Sequence, residues 1–248
     1  MSQAIPDNQL KKSAAPFLAR AVLKIMKKIS PVTASAIYRR MTGYNQDLIE
    51  LVELESDKIK KAAAGANNPV FVDCGTNEGV VLGLFVTRLP DFKFVGFEVQ
   101  KELIKVAENN APGARIRHQA VGDRNGQVEI YLPKNYSYNY RGGTTTVANK
   151  ISDERMYEKR PIDSVRLFDV LNELRAAGHD FIVIKLDIEG AEYPIINDLY
   201  QESKLQDQKM PIDFLMIEWH PRVLDHPDEQ AAYDEKLSDM GVSYSLWV

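Results

Sequence analysis

The residues between Phe71 and Gly83, which read FVDCGTNEGVVLG, carry the first chemical signal in the chain. An apolar run ends in Asp73, and three glycines follow at intervals of four residues, at positions 75, 79 and 83. This pattern predicts a strand that turns tightly into a helix, whose first N–H groups and positive dipole end attract a carboxylate or a phosphate. Two interpretations follow. The turn binds nothing, or it is a ligand site at the carboxyl end of the first strand, where open parallel sheets bind their ligands.

The side chains of this turn narrow the choice of ligand. Dinucleotide-binding turns read G-x-G-x-x-G, but Asn77 stands where their second glycine would be. Asp73 would repel a pyrophosphate and attract an ammonium group, so an amino acid fits better. Glu98 ends the next apolar run, 19 residues after Gly79, where an acid either binds ribose hydroxyls or is a solvated charge. Together these residues predict S-adenosylmethionine, which has an amino-acid end and a ribose.

Polar side chains also follow two later apolar runs. Asp187 and Glu189 end DFIVIKLDIEG, whereas Glu218 and His220 end IDFLMIEWH. Methyl transfer from a sulfonium is an in-line displacement, for which the protein aligns the nucleophile and, for an alcohol, supplies a general base. Asp187, Glu189 and His220 are therefore candidate catalytic residues. Two alternatives stay open: a divalent cation among these groups, and a His220 that is merely a strand-end residue bonded to the backbone.

From residue 69 onward, apolar runs alternate with amphipathic segments, which predicts a parallel sheet with crossover helices. Residues 133–160 are polar and irregular, and the tyrosines at 136, 138 and 140 belong either to a lid over the substrate or to a strand. The predicted strands are VFVDC, KFVGFEV, ARIRHQAV, one within DRNGQVEIYL, DFIVIKLDIEG and IDFLMIEWH; the predicted helices are residues 78–88, QKELIKVAENN, SVRLFDVLNELRAAG, AEYPIINDLY and residues 228–239.

Residues 1–65 are predicted to form an N-terminal helical segment before a domain of residues 66–248. The first 40 residues carry eight Lys and Arg residues against Asp7 alone, whereas the whole chain has a net charge of -4. The remaining residues, 41–248, are therefore acidic, and we do not expect them to bind nucleic acid. The basic segment either caps the domain, contacts a protein partner or lies on anionic lipid at a membrane surface.

Composition limits the remaining possibilities. The single cysteine, Cys74, excludes an intrachain disulfide framework. No apolar run approaches the roughly 20 residues that a membrane span needs, and the first residues lack the apolar core of a secretory signal. We therefore expect a cytoplasmic protein, and its oligomeric state stays open.

Five blocks of the sequence resemble the FkbM family of S-adenosylmethionine-dependent methyltransferases over residues 69–220. That family is defined by D-x-G-x-N-x-G after the first strand and by K-x-D-x-E-G-x-E after the fourth. The blocks are FVDCGTNEGVVLG, FVGFEVQKELIKVAENN, HQAVGDRNGQVEIYL, SVRLFDVLNEL and FIVIKLDIEGAEYPII, and the two motifs are met by Asp73, Gly75, Asn77 and Gly79 and by Lys185, Asp187, Glu189, Gly190 and Glu192.

The resemblance implies a role for each matching residue. The glycine turn would hold the methionine end of the cosubstrate, Glu98 its ribose and residues 119–123 its adenine, while Asp187 and Glu189 would face the methyl group. The family often has a proline near Val99, and a seventh strand would begin where this chain ends, so the sequence departs from the pattern there. The implied cosubstrate-binding residues are Asp73, Gly75, Thr76, Asn77, Gly79, Glu98, Val99, Gln119, Ala120, Asp123 and Asp187.

We therefore expect an α/β protein with a doubly wound, mostly parallel, Rossmann-like sheet of the class I methyltransferase type. The resemblance further implies transfer of the methyl group to a hydroxyl oxygen of a sugar or another small metabolite. Two alternatives are a nicotinamide-dependent oxidoreductase and a non-catalytic nucleotide-binding module that engages RNA or membrane through its basic N-terminus.

Overall fold

The computed structural model describes residues 44–134, 144–148, 151, 154–207, 210–224 and 229–247. The chain divides into two compact units, residues 1–51 and 52–248. The described part of the first unit is the beginning of helix α1 (Tyr44–Ala62). The basic N-terminal segment lies outside the described residues, so its role and the domain boundary at residue 65 remain predictions. No helix in the described part of the chain is long and apolar enough to span a bilayer.

The second unit alternates strands and helices, as the sequence predicts. Short 3-10 turns at Glu154–Met156 and Pro221–Val223 lie between these elements. The strands are β1 (Pro69–Cys74), β2 (Lys93–Glu98), β3 (Arg115–His118), β4 (Ala120–Gly122), β5 (Gly126–Pro133), β6 (Tyr157–Arg166), β7 (Phe181–Leu186), β8 (Phe214–Ile217) and β9 (Tyr244–Leu246); the helices after α1 are α2 (Val80–Arg88), α3 (Lys101–Asn110), α4 (Leu167–Ala176), α5 (Glu192–Gln206) and α6 (Glu229–Asp239).

Six strands form the main sheet in the order β3-β2-β1-β7-β8-β9, and every neighbouring pair is parallel. The chain winds outward from β1 to β3 and then returns to the other side of β1, so the strand order reverses between β1 and β7. Ligands of such sheets bind beyond the carboxyl ends of the strands at this reversal. The predicted doubly wound α/β fold is confirmed, and no seventh strand of this sheet occurs among the described residues.

The strands nearest the reversal are buried along their whole length. Every residue of β1, β7 and β8 is buried, because crossover helices cover the faces of a parallel sheet and leave little of its inner strands to water. Helices α4 and α5 contribute Leu171, Ile195 and Ile196 to this core. Asp73 in β1 and Lys185 in β7 are charged residues inside it, and both belong to the site described below.

A second sheet, in the order β4-β6-β5, was not predicted. The segment ARIRHQAV was predicted as one strand, but β3 ends at His118 and β4 pairs with β6 instead. Residues 157–166, predicted to be irregular at one end and helical at the other, form β6 and pair antiparallel with β5 over eight residue pairs. The prediction failed because the polar sequence YEKRPIDSVR gains its strand conformation from pairing with distant residues. The tyrosines at 136, 138 and 140 lie outside the described residues, so the lid remains a prediction.

Candidate active site

The turn between β1 and α2 is held against the end of β2. The N–H groups of Gly75 and Thr76 both donate to the carbonyl oxygen of Phe97, at 3.1 and 2.9 Å. Gly75 has a φ of +88°, and a Cβ there would overlap the backbone oxygen of Asp187. The loops that follow β1 and β7 are therefore in contact, and glycine is the residue that fits between them.

The other two glycines of the turn have a packing role. A Cβ on Gly79 would lie 2.7 Å from the Cα of Ala107 in α3, and a Cβ on Gly83 would overlap the backbone oxygen of Asn110. Residues four apart lie on one face of a helix, so this spacing lets α2 approach α3 closely. The interval of four that drew attention in the sequence thus has a structural cause, and ligand contact by Gly79 remains a prediction.

The hydrogen-bonding groups of the turn favour one kind of ligand. Besides the two bonds to β2, the N–H of Asn77 donates to Glu98 Oε2 at 2.7 Å and that of Gly79 donates to the Thr76 carbonyl oxygen at 2.9 Å. These four N–H groups are occupied within the protein. Conversely, the buried Oδ1 of Asn77 accepts no hydrogen bond within the described residues, and of the two buried carboxylate oxygens of Asp73, Oδ1 lies 3.3 Å from Lys185 Nζ and Oδ2 accepts no hydrogen bond there. The turn therefore presents hydrogen-bond acceptors to a ligand, and acceptors suit an ammonium group.

Glu98, predicted to bind the ribose, is a fixed part of this arrangement. Its second oxygen, Oε1, accepts a hydrogen bond from the N–H of Gln100 at 2.7 Å, and the residue is 5% exposed. Burial raises the pKa of Glu98 to about 7, although the bonds from Gln100 and Asn77 favour the ionised form. The two carboxylate oxygens have four lone pairs in all, and the backbone bonds from Gln100, Asn77 and Val99 leave room for a bond from a ligand hydroxyl.

The residues predicted to lie beside the adenine follow β3. Gln119 is half-buried between β3 and β4, Ala120 begins β4, and Asp123 is half-buried in the turn before β5. Val99 packs on a small apolar cluster that contains Ala120 and Ile130. Val99, which follows Glu98 in the chain, therefore packs in the same cluster as Ala120. The predicted binding roles of Val99, Gln119, Ala120 and Asp123 remain predictions.

A buried lysine joins the acid of the first turn to a predicted catalytic acid. Lys185 Nζ lies 3.0 Å from Asp187 Oδ2 and 3.3 Å from Asp73 Oδ1. Burial opposes the charge of Lys185, but the two carboxylates outweigh it and raise the pKa of the lysine. Burial raises the pKa of Asp73, which Lys185 offsets in part. Burial would also raise the pKa of Asp187, but the charge and hydrogen bond of Lys185 hold it below its usual value.

Glu192, the first residue of α5, shapes the loop after β7. Its Oε1 accepts a hydrogen bond from the N–H of Ile188 and its Oε2 accepts one from the N–H of Gly190, both at 2.8 Å. Glu189, between them, has a φ of +60°, which is uncommon for a residue other than glycine. Thr145 Oγ1 donates to the carbonyl oxygen of Glu189 at 2.7 Å. The loop is therefore held from both sides in a conformation that its own backbone does not favour.

The structure brings the predicted catalytic residues together around His220. Its Nε2 lies 3.6 Å from Glu189 Oε2 and 3.8 Å from Glu218 Oε1, and its Nδ1 lies 3.0 Å from Glu192 Oε1. The partner of Nδ1 is thus a carboxylate rather than a backbone group. Asp187, Glu218 and His220 also offer three ligand atoms within 4.8 Å of one another. This set can accept a proton from a hydroxyl group, and its composition also suits a divalent cation.

Sequence analysis did not predict the contacts that three residues make in the site. Lys185 and Glu192 stand in the motif K-x-D-x-E-G-x-E, but its spacing does not reveal that the lysine is buried between two acids or that the last glutamate contacts His220. Thr145 lies in the sequence RGGTTT, which carries no local indication of a contact with Glu189. All three contacts join residues that are far apart in the chain and belong to different elements or to the loops that follow different elements.

Comparison with solved structures finds a methyltransferase at low similarity, and no curated protein matches the chain. Two crystal structures of the plantazolicin methyltransferase BpumL, in complex with SAH and either a triazolic or a pentazolic desmethylPZN analog, share 15% sequence identity with it. The TM-scores are 0.33 and 0.37, over 74% and 90% of this chain and 52% and 74% of the BpumL chains. In the first comparison this chain therefore spans about half the length of its relative.

The family comparison covers most of the second unit. The model of the methyltransferase FkbM domain matches residues 73–242, from the acid at the end of β1 to a position just before β9. The matched range includes the first turn, Glu98, the loop after β7 and His220, so the site lies wholly within it. Since the match extends over more than half of the chain, the protein belongs to the FkbM family of methyltransferases.

Proposed function

We propose that this protein transfers a methyl group from S-adenosylmethionine to a hydroxyl oxygen of a small acceptor such as a sugar. Family membership supports methyl transfer. The observation that carries the choice of cosubstrate is the set of buried acceptor oxygens of Asp73, Asn77 and Glu98 at the carboxyl ends of two neighbouring strands. The first of these strands, β1, borders the reversal of strand order between β1 and β7, where such folds bind nucleotides.

The acceptors fit the two ends of the cosubstrate. An ammonium group donates hydrogen bonds, and Asp73 and Asn77 have buried oxygens that accept none within the described residues. Lys185 lies 3.3 Å from Asp73, so the ligand would share this carboxylate with the lysine. Glu98, one strand away, has lone pairs for ribose hydroxyls. A nicotinamide dinucleotide fits less well because its pyrophosphate needs N–H donors, and four N–H groups of the turn are occupied within the protein.

The groups around His220 support an oxygen acceptor. When bound, S-adenosylmethionine supplies a methyl group on a positively charged sulfur, so no further activation of the methyl group is needed. A hydroxyl next to His220 Nε2 can give its proton to that nitrogen as the oxygen–carbon bond forms. Glu189 and Glu218, at 3.6 and 3.8 Å from Nε2, then stabilise the positive imidazolium. A divalent cation on Asp187, Glu218 and His220 is a second way to promote loss of the hydroxyl proton.

Two measurements test this proposal. Calorimetric titration with S-adenosylhomocysteine, with NAD as the comparison ligand, tests the cosubstrate. Incubation with methyl-labelled S-adenosylmethionine and a panel of sugars and other hydroxyl compounds, with and without a chelator, tests the acceptor and the cation. We expect the protein to bind S-adenosylhomocysteine but not NAD, and we expect the labelled methyl group on an oxygen atom of the product. Binding of NAD in its place would contradict the cosubstrate, and label on nitrogen or carbon would contradict the acceptor.

A further inference from the structure

Glu192 occupies an unusual position between two parts of the site. It is 0% exposed, and its Oε1 is shared between the N–H of Ile188 at 2.8 Å and the Nδ1 of His220 at 3.0 Å. Its Oε2 accepts the N–H of Gly190. One carboxylate thus contacts both the loop after β7 and the residue that follows β8.

These contacts determine where His220 carries its proton. An ionised carboxylate only accepts hydrogen bonds, and the first turn of a helix, where Glu192 lies, favours a negative charge. The Nδ1 of His220 must therefore be the N–H donor in the pair. In a neutral imidazole the other nitrogen is then unprotonated, and this Nε2 faces the carboxylates of Glu189 and Glu218.

Aromatic packing keeps the two partners in place. Tyr193, next to Glu192, stacks on Trp219, next to His220, with ring centroids 5.0 Å apart. Tyr233 of α6 packs on both rings, at 4.9 and 5.9 Å. The backbone on each side of the carboxylate–imidazole pair is therefore fixed by contacts that do not depend on the pair itself.

We propose that Glu192 is a positioning residue, which fixes His220 in the Nδ1–H tautomer and so presents an unprotonated Nε2 to the acceptor hydroxyl. The same carboxylate holds Glu189 in its left-handed conformation, so it sets two of the groups around the acceptor at once. The use of Nε2 as a base rests on the proposed function, whereas the tautomer does not.

Nitrogen-15 NMR of the histidine rings tests the tautomer in the protein without any ligand, at a pH where imidazole is neutral. The chain contains two internal references: His179 Nδ1 lies 2.9 Å from the carbonyl oxygen of Asn68, and His118 Nε2 lies 3.0 Å from that of Val99. A carbonyl only accepts, so His179 should show the Nδ1–H form and His118 the Nε2–H form. We expect His220, identified by the loss of its signals in His220→Asn, to resemble His179.

The variant Glu192→Gln tests the consequence for catalysis. Its amide cannot accept at both oxygen positions, so we expect His220 to populate the Nε2–H form and turnover to fall about ten- to a hundredfold, with affinity for S-adenosylhomocysteine changed less than about twofold. Glu202→Gln, on the same helix and paired with Arg166, is the control and should change neither property.

The possible outcomes separate this proposal from the proposed function. An Nε2–H tautomer in the native protein overturns the positioning role, and this result does not depend on whether Glu192→Gln folds. Retention of the Nδ1–H form and full turnover in Glu192→Gln also overturns it. The expected tautomer together with no transfer to any hydroxyl compound upholds the role of Glu192 and contradicts the acceptor proposed above.

Discussion

Glu98 Oε2 lies 2.7 Å from the backbone nitrogen of Asn77, so the acid at the end of β2 is bonded directly to the turn after β1. A residue predicted to bind the ribose thereby also fixes the loop predicted to hold the methionine end. Any change in the charge of Glu98 should therefore affect both the stability of the turn and the affinity for the cosubstrate.

The pKa of Glu98, raised from 4.5 to about 7, predicts two opposite pH dependences. Between these values the folded protein binds the proton more tightly than the unfolded chain, so the contribution of Glu98 to stability falls as pH rises, by on the order of 3 kcal/mol. Ribose hydroxyls donate to the ionised form, so affinity for S-adenosylhomocysteine should rise through pH 7. Denaturation measures the stability and calorimetry measures the affinity across this pH range, and Glu98→Gln should abolish both pH dependences. If stability and affinity change with pH equally in the native protein and in Glu98→Gln, the assignment of these effects to Glu98 is contradicted.

Replacement of Asp73 by Asn should weaken binding of S-adenosylhomocysteine about 10- to 100-fold, since a buried polar contact of the ligand is lost. Asn is nearly the same size, and thermal unfolding will show whether the fold survives the loss of a partner for Lys185. Asp91→Asn, at an exposed position after α2, is the matched control. Equal affinities of the native protein and Asp73→Asn in calorimetry would mean that the ammonium group binds elsewhere.

Replacement of Gly75 by Ala should destabilise the protein more than replacement of Gly113. Both glycines have similar positive φ angles, +88° and +93°, but a Cβ at 75 meets the backbone of Asp187 whereas a Cβ at 113 meets nothing within 4 Å. Gly113→Ala should thus cost only the left-handed strain, about 1–2 kcal/mol. Urea denaturation of the two variants isolates the cost of the contact between the loops, and equal losses would show that no such contact forms.

Replacement of Lys185 by Met should lower the free energy of unfolding by about 3–5 kcal/mol at neutral pH, because it leaves two acids near each other without their cation. The loss should shrink as pH falls, since protonated carboxyl groups no longer need the lysine. Lys60→Met, at a largely exposed position of α1, should have little effect. Denaturation at several pH values measures the difference, and a pH-independent loss would point to a packing defect instead of an unpaired charge.

Patterns that are local in the chain are sufficient to predict the framework of this protein. The buried strands β1, β7 and β8 are continuous apolar runs because helices cover them, and the polar residues that end them, such as Asp73, Asp187 and His220, were recognised as site candidates. Parallel strands bring their carboxyl ends to one edge, so strand order alone brings these residues near one another.

Pairings between distant residues were decided only by the tertiary structure. Strand β6 exists because β5 pairs with it, and its own polar sequence contains no such signal. The spacing of Gly79 and Gly83 suggested a ligand but also reflects the approach of α3. Contacts such as Glu192 with His220, 28 residues away, depend on how adjacent strands and helices pack. A sequence determines which side chains lie at strand ends, whereas packing determines which of them meet and what charge each one carries.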